Sequence, residues 1–217
     1  MALVASNDPS SVIGSEFTAP YAFDIIVDRS SGGKMVITDV NNNVLLKVKP
    51  CNTTFHYERA LLNADGKVIT RLRDKIISQH NRWKVYRGDS RADKNMIFST
   101  KQPNMIQFKT SLHVFLANKT SEKNVCDFKI KGSWSKRKCK IYMGDNDSII
   151  IAQMHKKDKS KKVKLDKNKF MVTINPNVDY AFVVALIAIV DAMKTVDEDY
   201  AEKIIESTGQ VIGATAS

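Results

Sequence analysis

From about Tyr21 to Ile174 the chain alternates between short runs rich in Val, Ile, Phe and Tyr and clusters of turn residues. This is the pattern of half-buried antiparallel strands joined by tight turns. MVIT (Met35 to Thr38) and VLLKVK (Val44 to Lys49) flank DVNNN, whose Asn41 to Asn43 supply the positive φ that a hairpin turn needs. RALL (Arg59 to Leu62) and KVITRLR (Lys67 to Arg73) flank Asn63-Ala64-Asp65-Gly66, and Asp-Gly is a strong short-range hairpin signal. Within the second of these, Val68, Thr70 and Leu72 alternate with Lys67, Ile69, Arg71 and Arg73, so one face is buried and the other wet. The series continues through Arg82 to Arg87, Asn95 to Lys101, Ser111 to Ala117, Val125 to Gly132, Lys138 to Gly144, Ser148 to His155 and Lys169 to Ile174. With its outer segments it predicts roughly a dozen strands.

The pattern then changes. Tyr180 to Val190 reads YAFVVALIAIV, eleven consecutive uncharged residues. A run of about 10 to 14 is too short to cross a bilayer and reads as a buried core helix or a re-entrant segment. Ala181, Ala185, Ala188 and Ala192 recur on one helical face, with Phe182, Leu186, Ile189 and Met193 on an adjacent stripe, so the helix is apolar all round and must be enclosed by protein. Pro176 separates it from the preceding strand, and Asn177 and Asp179 are both candidate caps. Twelve antiparallel strands with open edges would invite aggregation, and closure removes the edges. A barrel of that size has a lumen too wide for its own side chains, and the helix is the natural filling. The expected fold is therefore an all-β closed barrel of about twelve antiparallel strands around a central hydrophobic C-terminal α-helix. The expected organisation is a flexible leader over 1–20, a barrel domain over 21–195 with the core helix at 179–194, and a polar tail over 196–217 that is either a solvated helix or disordered.

Composition adds boundaries. Length and an apolar content of 43% suit a globular chain able to bury a core. Cys51, Cys126 and Cys139 have no metal-ligand spacing and are odd in number, which predicts packed thiols in a reduced compartment. The start has neither the charged and apolar regions of a secretory leader nor a glycine for myristoylation, so an intracellular protein is expected. Arg and Lys exceed Asp and Glu by 34 to 23, a formal charge of +11 that attracts anionic partners without naming them.

The segments Val36 to Lys49, Arg59 to Lys75, His80 to Gly88, Cys126 to Trp134 (CDFKIKGSW), Ile150 to Lys157 (IIAQMHKK) and Pro176 to Met193 (PNVDYAFVVALIAIVDAM) resemble, in order and spacing, the plant LURP-one-related family. The likeness covers about 20–195. It implies a tubby-like fold, a twelve-stranded barrel around a hydrophobic C-terminal helix, similar to tubby proteins and phospholipid scramblases. It also implies a role in plant defence signalling, since the family's namesake is associated with basal defence against oomycetes.

The densest charge feature is His155 to Lys169, with Lys156, Lys157, Lys159, Lys161, Lys162, Lys164, Lys167 and Lys169 against Asp158 and Asp166. Flexible ammonium groups suit phosphate-rich surfaces, each worth about 1 kcal/mol near an anionic membrane; the plainer reading is a solvated hairpin that keeps the protein soluble. A second basic segment, from Lys129 and Lys131 through Lys136, Arg137, Lys138 and Lys140, surrounds Trp134, which is either an interfacial anchor or a packed strand residue. Alternation puts Lys129 and Lys131 on one face. Tubby-like proteins bind phosphoinositides through basic exterior residues, so the resemblance favours phosphoinositide or anionic-membrane binding at Lys129, Lys131, Lys156, Lys157, Lys159, Lys161, Lys162 and Lys164. The alternatives are a nucleic-acid or protein partner in transcription regulation, for which no DNA-binding motif is present, and scramblase-like activity. No transmembrane span follows the core helix, and Asp145 to Asp147 reads as a turn rather than a calcium loop. The histidines stand in separate segments without a catalytic motif, so no enzyme, cofactor or metal is expected. The expectation is a monomer in the cytoplasm, with the nucleus or the plasma-membrane periphery as alternatives.

Overall fold

In the computed structural model, which describes residues 11–53, 56–75, 82–103, 110–118, 125–155 and 168–195, twelve strands pair antiparallel with their neighbours in the chain. They are β1 (Phe23–Arg29), β2 (Met35–Asp39), β3 (Val44–Pro50), β4 (Glu58–Asn63), β5 (Val68–Asp74), β6 (Trp83–Arg87), β7 (Met96–Lys101), β8 (Thr110–Leu116), β9 (Phe128–Ser133), β10 (Lys138–Met143), β11 (Ile149–His155) and β12 (Lys169–Ile174). β1 closes on β12 in a register running from Phe23 opposite Ile174 to Asp28 opposite Lys169, so the sheet has no edge. The turn chemistry is local: Asn42 takes φ 65° in the β2–β3 hairpin and Gly66 takes φ 89° in the β4–β5 hairpin. Bulges between Ile37 and Thr38, Leu61 and Leu62, Val85 and Tyr86, and Ile141 and Tyr142 add the extra twist that closure needs.

One α-helix among the described residues, α1 over 180–195, runs through the lumen. Ala181, Phe182, Ala185, Leu186, Ala188 and Ile189 are all buried in the same core as the inward faces of the strands. Phe182 packs edge-on to Phe98 of β7 at 5.2 Å and against Phe128 of β9 at 4.8 Å, so the large stripe is met by aromatic rings. Of the two candidate caps, Asp179 does the work: its Oδ1 accepts the Phe182 N–H at 2.9 Å. Asn177 instead occupies the turn after Pro176, with φ 61°.

The leader expected over 1–20 is a packed strap from Ser11 onward. Ile13 is buried, and the N–H groups of Ile13 and Gly14 donate to Asp179 Oδ2 at 2.6 and 3.1 Å. Arg87 donates to the Ile13 carbonyl at 3.0 Å, and Phe17 meets Tyr180 edge-on at 5.6 Å. The physical reason is the fully buried Asp179 carboxylate: one oxygen caps the helix, and the other is met by the donors of the strap. Residues 1–10 and the tail at 196–217 lie outside the described residues.

The opposite end of α1 carries a buried ionic latch. Asp191, at 0% exposure, meets Arg29 of β1 at 2.5 Å and Arg59 of β4 at 2.8 Å, and Arg59 also donates to the Ala188 carbonyl at 3.1 Å. Both cations sit at the helix C-terminus, where the macrodipole favours positive charge. Gly33 leaves space for this arrangement: its φ is +76°, and a Cβ there would lie 2.5 Å from Arg59 Nη2.

Candidate functional site

The strand order sorts the exposed charges along the barrel axis. At the end where α1 begins, the described turns carry Asp39, Asp65, Asp89, Asp93, Asp145 and Asp147 against Lys67, Arg91 and Lys94. At the end where α1 finishes, the connections and strand ends carry Lys34, Lys75, Arg82, Lys101, Lys136 and Lys138. β11 ends at His155 and β12 begins at Lys169 on this same basic end. Lys156, Lys157, Lys159, Lys161, Lys162 and Lys164, expected as ligand-binding residues, fall on the intervening stretch and lie outside the described residues.

The basic character continues onto the outer wall of β7–β10. Outward positions align across the strands: Lys101 stands opposite His113, which stands opposite Lys129, while Ser111 stands opposite Lys131, which stands opposite Lys140. Lys129 and Lys131 therefore share a face, as alternation requires, and one turn brings them together. Asp147 reaches Lys129 Nζ with Oδ1 at 3.0 Å and Lys131 Nζ with Oδ2 at 2.7 Å. Lys129 also donates to the Asp145 carbonyl. The two lysines differ in access: the Lys129 side chain is 7% exposed beneath the turn, and that of Lys131 is 44% exposed. The Asp147 bond holds the Lys131 ammonium above its usual pKa, and Lys131 followed by Lys129 holds the Asp147 carboxyl below its own. Burial pushes the His113 imidazole down, Asp145 opposes this, and Lys129, Lys131 and Lys101 add to it. Neither Lys101 nor Lys140 has an ion-pair partner among the described residues.

Trp134 is packed in the wall. It meets Phe170 edge-on at 5.8 Å, and the Arg137 guanidinium lies 4.7 Å from both ring centroids. Cys126 and Cys139 are free, buried thiols pushed up to about 11 by desolvation, which leaves them protonated at neutral pH. The 144–148 segment is a turn, and no His, Cys, Asp and Glu cluster able to hold a metal occurs among the described residues.

A second charged cluster on the outer wall escaped sequence reasoning. Glu58 of β4, almost wholly buried, accepts from Arg91 at 2.8 and 3.2 Å and from Arg71 at 3.2 Å, with Arg73 at 4.0 Å. Arg71 is also bonded to Asp89. The pairing of Glu58 with Arg73 follows the hairpin register and was readable from the Asp-Gly turn, whereas the arrival of Arg91 from the β6–β7 connection was not.

Comparison with known proteins agrees with this architecture. The LURP-one-related family model matches residues 26–191. The chain is 42% identical over 190 residues to the Arabidopsis thaliana protein LURP-one-related 15, covering 86% of this chain and 87% of that one. It is 39% identical to LURP-one-related 10 of the same plant, covering 87% and 98%, and 37% identical to LURP1, covering 84% and 89%. None of these relatives is named for a catalytic activity. The X-ray structure of an Arabidopsis thaliana protein 35% identical in sequence superposes with a TM-score of 0.66, covering 85% of this chain and 99% of that chain. With three quarters of its length under one family model, and with relatives above 35% identity aligned nearly end to end, this chain belongs to the LURP-one-related family.

Proposed function

We propose that this chain is a non-enzymatic binding protein of plant defence signalling that attaches to anionic membrane, with phosphoinositide headgroups as ligand, through its exterior lysines. In fold it is a tubby-like, scramblase-related barrel. The observation that supports this reading is the axial bias of charge, with an excess of acidic over basic residues in the described turns at one end and Lys34, Lys75, Arg82, Lys101, Lys136 and Lys138 at the other. A chain of formal charge +11 with mixed charges would be drawn weakly in any orientation; one with its cations gathered presents them together to a negative surface. In sequence, the stretch 156–164 that follows β11 carries six further lysines. Near an anionic leaflet each such lysine contributes about 1 kcal/mol, and the attraction fades within a Debye length of ~8 Å at physiological salt.

The test is flotation of the full chain with phosphatidylcholine vesicles, with and without a phosphoinositide. The wild type is expected to float with the phosphoinositide vesicles and to be released by high salt. K136E/K138E and K161E/K162E/K164E are expected to float less. Equal flotation of wild type and both variants would overturn the proposal, as would exclusive capture on DNA.

A further inference from the structure

On the outer wall, one carboxylate spans two ammonium groups. The two oxygens of Asp147 lie 3.0 and 2.7 Å from Lys129 and Lys131 Nζ, the way two oxygens of a phosphate group would span them. Opposite Lys131 stands Lys140, with no ion-pair partner among the described residues. Like charges directly opposite in a sheet are unfavourable unless an anion lies between them. Asp147 bridges Lys129 and Lys131, and the Asp145 carboxylate lies 3.8 Å from Lys129 Nζ, so two carboxylates face three lysines, with Lys101 and His113 in the next row.

The turn that delivers Asp147 is fastened independently of it. The Gly144 N–H donates to the Asp127 carbonyl at 2.6 Å, the Cys126 thiol meets Asp145 Oδ1 at 3.4 Å, and Lys129 holds the Asp145 carbonyl. Asp147 itself is 47% exposed and pairs most closely with an exposed lysine. Exposed ion pairs are weak, so a dianionic phosphate has little to displace at Lys131, and at the largely buried Lys129 its second charge offsets the loss of the Asp147 pair. Resting on the reading that exterior lysines bind phosphate headgroups, we propose that Lys129, Lys131 and Lys140 form a phosphate-monoester site which Asp147 occupies as a built-in competitor. Ligand binding swings the Asp147 side chain away and leaves the turn anchored through Asp145.

The variant that separates this from general electrostatics is D147N. It is compared with D65N, which removes the same charge from another exposed turn at the same end, where Asp65 accepts from Asn63 and has no ion-pair partner among the described residues. With phosphatidylcholine vesicles carrying a few mole per cent phosphoinositide, D147N is expected to bind about tenfold tighter than wild type, because two lysines are released to the ligand. D65N is expected to bind as wild type does, and K131E/K140E to lose the gain when combined with D147N. Millimolar pyrophosphate is expected to release D147N from the vesicles; failure to compete would mean that no phosphate site exists and would overturn the proposal. D147N binding no tighter than D65N would also overturn it, while flotation that still depends on Lys136 and Lys138 would leave membrane attachment standing. If neither wild type nor D147N floats, both readings fall. Thermal melts matching wild type establish that each variant is folded.

Discussion

Asp191→Asn is the substitution on which the enclosed-helix architecture depends most directly. Asp191 is fully buried and is the shared partner of Arg29 and Arg59, and Arg59 is itself only 5% exposed. Burial pulls the Arg59 guanidinium below its usual pKa, and attraction to Asp191 opposes this. Asparagine keeps the shape and one acceptor but removes the charge, leaving a buried cation uncompensated at the mouth of the barrel. Breaking a buried pair in this way costs about 3 to 5 kcal/mol, with asparagine toward the lower figure. At roughly 2 to 4 °C per kcal/mol for a chain of this length, the midpoint should fall by about 6 to 12 °C. Urea titration followed by far-UV circular dichroism, alongside thermal melts, measures the loss. Arg59→Met with Asp191→Leu should recover much of it, because a well-packed apolar replacement of a buried pair is often near neutral. The coupling between positions 59 and 191 in that cycle should exceed about 1 kcal/mol. D191N within about 0.5 kcal/mol of wild type, or no coupling with Arg59, would refute the latch.

Two further predictions concern the same helix. Ala185 is fully buried on the small face, so Ala185→Trp overpacks the lumen and should give insoluble or unfolded protein; a soluble variant with a wild-type melt would place the helix outside the barrel. Asp179 is pushed up to about 6 by burial, against the opposing N–H bonds from Phe182, Ile13 and Gly14. A carboxyl whose folded pKa lies above its unfolded value near 3.8 makes the native state bind more protons between the two. Its contribution is therefore most favourable below about pH 4 and is lost as pH rises through about 6. The stability of wild type relative to Asp179→Asn should decline by ~3 kcal/mol across that window. A difference that stays flat from pH 4 to 7 would refute the assignment.

What could be read from the sequence follows the range of the interactions. Strands joined by short hairpins announced themselves, since Asn42 and Gly66 fix both the turn and the register of the pairs they join. The helix was legible because all-round apolarity over 180–190 has few other solutions. By contrast, Ile13 is one of several apolar residues in a mixed leader without a period, and the acceptor that captures it lies 166 positions away. The latch joins Arg29, Arg59 and Asp191 from three distant elements, each unremarkable in its own segment. For the candidate site the same division holds. Lys131 facing Lys140 follows from the four-residue turn between β9 and β10, but Lys101 facing His113 and His113 facing Lys129 depend on registers set by long connections. The partnering of Lys129 and Lys131 by Asp147 was hidden because the turn at 145–147 was read for its backbone and not for where its carboxylates reach.

The helix that makes the fold also decides where a ligand can act. Among the described residues, two small spaces lie between α1 and the strands: one lined by Ile130, Trp134, Cys139, Ile141, Met154, Ile187 and Val190 has a volume of about 10 Å³. A second, bordered by Gln102, Thr110, Leu112, Val190 and Met193, is the same size. Each has room for about one water molecule. Recognition of anything larger at these places would require displacing the helix, and with it the Asp179 cap and the Asp191 ion pairs that tie it to the strap, β1 and β4. An exterior ligand requires no such rearrangement, and the exterior is where Lys101 and Lys140 stand without an ion-pair partner among the described residues. Binding there is electrostatic and acts at the surface, so it should be steeply salt-dependent and insensitive to repacking of the core. A conservative core substitution such as Ile189→Val should therefore lower stability by about 0.5 to 1.5 kcal/mol and leave vesicle binding unchanged. Vesicle binding that fell in step with that loss of stability would instead mean that the barrel opens to bind.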